Sequence, residues 1–252
     1  MAEIIDYKDK VKRYFLPERR EFISMLPPVV GMAFIISFKE WGGETFDVAA
    51  GLANFALALL IVAVSFFTFD AGQRLLGLTI NYRLRFKVWT FGLLFGLVIC
   101  FLTNGSVWVL LPSGFLVEHL TGHRLGWFRY GINVFGQGIM ALGGPVASIV
   151  LIILIKLFSF ALPAAFVDKA VLFNVVFAIT QMLPIPPLAG SKAYFGSKMT
   201  YAFSMPVIVS ALLLLAIDIP LFISIGGAIL IGLILWILYY AFFEQNVWSG
   251  PG

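Results

Sequence analysis

The chain has 252 residues, 61% of them hydrophobic and 12% charged, with a formal net charge of +4 and a mean hydropathy of +0.99. Soluble domains are about 45–50% apolar and about 25% charged, so the composition argues against a soluble globule, a disordered chain and a nucleic-acid binder. Cys100 is the single cysteine, which removes intrachain disulfides and multi-cysteine metal sites. The expected fold is an all-α polytopic membrane protein with a single membrane domain over 22–243, a 1–21 N-terminal segment and a 244–252 tail.

The first 21 residues hold six basic side chains among five acids and no apolar run. They read as a cytoplasmic or membrane-surface segment, compatible with an amphipathic helix and without signal-peptide features. Six apolar stretches then reach the roughly 17–25 residues a span needs, at about 22–38, 48–69, 135–160, 170–188, 201–217 and 220–243. A seventh apolar region, Val88–Leu111, is broken by the turn sequence Thr103-Asn104-Gly105-Ser106. Each arm is too short to cross, so it reads as a re-entrant hairpin over 88–111. Such a backbone is tolerated only where protein surrounds it.

Between the second span and the hairpin, Thr79–Trp89 alternates strictly: Ile80, Tyr82, Leu84, Phe86 and Val88 against Thr79, Asn81, Arg83, Arg85 and Lys87. This period-two pattern predicts a short β element at the membrane surface. Its edge is a candidate site for an extended peptide, with Asn81, Arg83 and Arg85 as binding residues. Charge sets the orientation. With both termini cytoplasmic, 14 Lys and Arg fall inside, Arg124 and Arg129 among them, against Lys39 and Lys169 outside. A full crossing at Val88–Leu111 would turn four of the 14 outward.

Few residues can carry chemistry. Asp70 is the one acid deep in an apolar run, and Arg74 follows at i, i+4 on the same helix face. His119 and His123 have a spacing that binds zinc if the segment is helical. Leu120, however, stands where an HExxH motif needs Glu, and no third ligand is evident. Gly143-Gly144-Pro145 permits close helix approach. Pro184, Pro186 and Pro187 in QMLPIPPLAGSK end a helix and shape a rigid loop.

The stretch Gln181–Lys192 resembles the LPIPPLDG-type motif of the site-2 protease family of intramembrane zinc metalloproteases. Ala141–Ser148 resembles its glycine-proline signature. Phe69–Arg74 stands where the family carries HExxH and a basic residue. The strand and hairpin also match the family's layout, especially in archaeal members. The resemblance implies a zinc-holding bundle, but Phe69, Gln73 and Ala189 stand at the ligand positions, Asp70 at the catalytic Glu and Gln181 at the family's Asn. None of the three zinc ligands is present. The expectation is a pseudoprotease in the cell membrane, with no cofactor, metal or catalytic residue. Such a chain binds, scaffolds or assembles another membrane protein or transmembrane segment within the lipid bilayer, and Pro184, Pro186 and Pro187 join the strand residues in binding. The alternative is an active metalloprotease or hydrolase with a non-standard site that uses His119 and His123. A channel or transporter is disfavoured, because the spans hold almost no paired charge.

Overall fold

The computed structural model describes residues 2–41, 46–120, 132–217 and 219–244. Among them are nine helices: α1 (Ala2–Tyr14), α2 (Arg19–Ser37), α3 (Val48–Thr79), α4 (Thr90–Leu102), α5 (Val134–Leu157), α6 (Ala164–Gln181), α7 (Ala189–Gly196), α8 (Lys198–Ala216) and α9 (Leu221–Tyr239). A two-stranded antiparallel sheet joins β1 (Tyr82–Val88) to β2 (Ser113–His119). Six of the helices are long and apolar enough to cross a membrane, so this is a multi-pass membrane protein by length and composition. His123, Arg124, Arg129 and the tail from residue 245 lie outside the described residues.

The helix bounds depart from the apolar runs in two informative places. The second span, expected to end at residue 69, continues to Thr79 for 32 residues. Asp70, Gln73 and Arg74 do not end it because each finds a partner inside the protein. The fourth span, expected at 170–188, runs from Ala164 to Gln181 instead. Lys169 is admitted because it pairs with Glu40 at the end of α2. Pro163 opens this helix, where a missing N–H matters little, and the proline loop lies beyond its end. At the start of α3, Asp47 accepts from the N–H groups of Ala49 and Ala50 at 2.9 and 3.1 Å, a side-chain cap.

Packing centres on three clusters. One joins α2, α3, α4 and α6 through Met25, Met32, Ile61, Phe66, Phe69 and Phe177. A second joins α5, α6 and α8. The third holds the sheet on α5 and α7 through Leu84, Phe115, Val117, Met140 and Ala189. Helices α3 and α5 run antiparallel at close range. A Cβ on Gly72 would collide with the Gly143 carbonyl, and one on Gly143 with the Gly72 carbonyl. Small residues at this contact let the two backbones touch.

The region between α3 and α5 is a closed excursion. Asn81, at φ 63°, turns the chain out of α3 into β1. Helix α4 leads away, and Asn104 and Gly105, at φ 50° and 70°, reverse it. An extended arm returns, so that Val88 pairs with Ser113 and the Trp89 N–H donates to the Pro112 carbonyl at 3.0 Å. The Asn133 N–H, at the start of α5, donates to the Tyr82 hydroxyl at 2.9 Å. The excursion therefore begins and ends at one end of the α3–α5 pair. The partner of β1 is strand β2, for which the sequence carries no strand signal of its own, and helix α7 stands between two expected spans.

Candidate functional site

Five positions singled out by the family resemblance converge where α3, α5, α6, α7 and the sheet meet. Phe69, Asp70 and Gln73 project from the last third of α3. The Phe69 ring packs 4.9 Å from the Phe177 ring and lies where any side chain on Gly144 would sit. Gln181, the last residue of α6, lines the same small space with Asp70, Gln73, Ser113 and Gly114. Ala189, at the start of α7, is buried in the cluster that holds Ala141 and Phe115.

The Gln73 amide has a specific task. Pro145 lies inside α5 and has no N–H, so the carbonyl four residues earlier, Ala141, loses its helical donor. Gln73 Nε2 donates to that carbonyl at 3.4 Å. Within an apolar bundle an unpaired carbonyl is expensive, and this long hydrogen bond answers it.

Asp70 and Arg74 form the pair expected from their spacing, Nε to Oδ2 at 2.5 Å, with both side chains nearly enclosed. The guanidinium is shared. Its Nη2 donates to Glu21 Oε1 at 2.6 Å, and its Nη1 to the Leu84 carbonyl at 3.4 Å. Glu21, at the start of α2, also accepts the Phe86 N–H at 2.6 Å. A single guanidinium thus lies between two carboxylates and ties α2, α3 and β1 together. In sequence Glu21 is one of five acids of the N-terminal segment; locally it accepts only the Glu18 N–H at the helix start, and its partners Arg74 and Phe86 lie more than fifty residues away.

These bonds decide which sheet edge is open. The flanking bonds at Asn81–Leu120 and Trp89–Pro112 make the odd residues of β1 the hydrogen-bonded ones. The even ones point outward, and there Glu21 takes the Phe86 N–H and Arg74 the Leu84 carbonyl. The outer edge of β1 is therefore occupied at its centre, at Leu84 and Phe86, contrary to the expectation of a free edge on Thr79–Trp89. The outward N–H groups of Phe115 and Val117 on β2 have no backbone partner among the described residues. The less protected edge belongs to β2.

The remaining candidates separate into two groups. Arg83 donates to Glu18 at 3.0 Å, Arg85 to Glu118 at 2.7 Å, and Asn81 forms the turn. Pro184 and Pro186 are exposed, while Pro187 packs on β2 so closely that Gly114 has no room for a Cβ. The proline loop thus touches β2. His119 closes β2, so the helical arrangement that would pair it with His123 does not hold at its first member. Lys192 on α7 lies 5.0 Å over the Phe115 ring and donates to Gln137 Oε1 at 3.4 Å. Burial pushes its ammonium below the usual lysine range.

The residues here do not fit zinc. A catalytic zinc needs three nitrogen, sulfur or oxygen ligands and an open position. Phe69 and Ala189 have no donor atom, and the Gln73 amide nitrogen is turned to Ala141. The space beside them is about 10 Å³, near the ~10–15 Å³ that one water requires. Gln181 Nε2 is buried with no hydrogen-bond partner, which makes a single water the fitting occupant. Compared with known protein families, curated proteins and solved structures, the chain has no match.

Proposed function

We propose that this chain is a catalytically inactive relative of the site-2 proteases, a pseudoprotease that holds another membrane protein. Donor chemistry carries the reading. At the positions where the family would bind zinc stand a phenyl ring, an amide committed to a backbone carbonyl and a methyl group. Hydrolysis through a zinc-activated water has no ligand set to work with. Three changed ligand positions and a changed general base are more than one lesion.

The partner is a transmembrane or extended segment, and it pairs with the outer edge of β2 beside Pro184, Pro186 and Pro187. An unpaired strand edge invites addition of another strand. The loop leaves that edge available because its prolines have no N–H to offer. Arg83 and Arg85 on the neighbouring strand supply cationic surroundings. The chain sits in the cell membrane with both termini cytoplasmic. The excursion from Val88 to Leu111 is a re-entrant hairpin, which keeps the sheet and proline loop on the cytoplasmic side.

The test is photocrosslinking in native membranes from reactive residues at Leu116, Ile185 and Arg85. Interchain crosslinks to one membrane protein are expected from the first two and fewer from Arg85. Crosslinks confined to this chain at all three would reject a binding role for the site.

A further inference from the structure

A groove of about 940 Å³ runs between the α1–α2 connection and α3, a volume in the range of small-molecule sites, about 300–1,000 Å³. We propose that it binds one anionic phospholipid, with the phosphate on Arg19 and an acyl chain along Phe22, Ala63, Val64 and Phe67. The inference is independent of the function proposed above.

Charge complementarity selects this occupant. Arg19 lines the groove and is exposed, and it forms no ion pair with a described residue. The acids close to it are already committed. Glu18 pairs with Arg83 and Arg85, while Asp70 and Glu21 share Arg74. The groove therefore presents one exposed cation without an ion-pair partner among the described residues, above a mainly apolar wall that the buried Asp70–Arg74 pair also lines.

Position selects it too. Leu16, Phe22 and Val64 around the groove are 73%, 43% and 48% exposed, so it opens sideways toward the hydrocarbon rather than toward water. Helix α1 docks beside the last turns of α3, where the Tyr7 hydroxyl donates to the Leu75 carbonyl at 3.3 Å. It carries Lys8 and Lys12 as further exposed cations. With four basic and three acidic side chains, α1 is amphipathic and weakly cationic, and such a helix lies at the headgroup level. The head of a lipid at that depth meets Arg19 while its chain enters the groove.

The test is native mass spectrometry of the full chain in detergent, titrated with dioleoylphosphatidylglycerol or dioleoylphosphatidylcholine. The wild-type chain should retain one phosphatidylglycerol at least tenfold more tightly than phosphatidylcholine. Arg19→Glu should remove that preference. Val64→Trp, at an exposed position and checked for an unchanged melting profile, should abolish retention by filling the groove. The chain-free headgroup glycerophosphoglycerol should not displace the bound lipid. Lys198→Glu, at an exposed cation on α8 that does not line the groove, should leave retention within twofold. Equal retention of both lipids, insensitivity to Arg19→Glu or Val64→Trp, displacement by the free headgroup, or an equal loss in Lys198→Glu would each overturn the proposal.

Discussion

Gln73 and Pro145 share one problem, the Ala141 carbonyl, and the coupling can be measured. Gln73→Leu leaves that carbonyl buried without a donor and should destabilise by about 1–3 kcal/mol. Pro145→Ala restores the helical N–H, so in that background the Gln73→Leu penalty should fall toward zero. Unfolding of the four chains in detergent gives the cycle. Arg74 is the second case. Its side chain is 2% exposed, between Glu21 at 9% and Asp70 at 10%. Arg74→Met strands both carboxylates and should destabilise by about 3–5 kcal/mol. If it costs less than Gln73→Leu, the shared guanidinium is not a keystone of the fold. Lys192 has a signature in pH. Its folded-state pKa is depressed by burial, so between that value and the ordinary lysine pKa the unfolded chain binds more protons. Stability should therefore rise with pH across that window and be lost as pH falls through the folded value. Lys192→Met should flatten this alkaline rise in melting temperature. Of these features the sequence exposes only the Asp70–Arg74 spacing. The partners of Gln73, Glu21 and Lys192 are distant in the chain, and composition is blind to them.

The apolar runs located all six long helices, because about 30 Å of hydrocarbon demands a length of apolar chain that little else in a sequence imitates. Their ends were less legible. A helix of 32 residues extends roughly 48 Å, so α3 outruns the hydrocarbon, and its last turns lie beyond the apolar run that marks the span. Conversely, Asp168 and Lys169 read as a boundary, yet α6 passes through both. Strand β1 announced itself by alternation, whereas Ser113–His119 alternates too weakly and is a strand because β1 lies beside it. Orientation is open to test at the ends of these elements. In a Cys100→Ser background, Phe46→Cys and Phe160→Cys, both strongly exposed, should react with an impermeant reagent from outside intact cells. Leu116→Cys and Phe195→Cys should react only after permeabilisation. Labelling of Leu116→Cys from outside would reverse the cytoplasmic placement of the sheet.

The convergence of α3, α5, α6 and α7 on one point permits a test of the resemblance itself. A chain carrying Phe69→His, Gln73→His and Ala189→Asp should take up about one zinc by elemental analysis, and the wild-type chain should take up none. Failure of the folded triple variant to bind zinc would show that these positions are not the counterparts of the family's ligands. The motif order suggested this meeting point, but the ring of Phe69 lodged against Gly144 is a matter of packing that no motif records. Because the Tyr82 hydroxyl meets Asn133, the segment from 80 to 133 is hung on a closed base, and α3 and α5 can associate before any of it has taken shape. During biosynthesis the translocation machinery can therefore handle α3 and α5 as one helical hairpin, with the sheet and α4 folding in afterward from the side on which the base lies. A chain in which a short glycine-serine linker replaces residues 81–132 should still integrate both helices in their original sense, even though the sheet is gone.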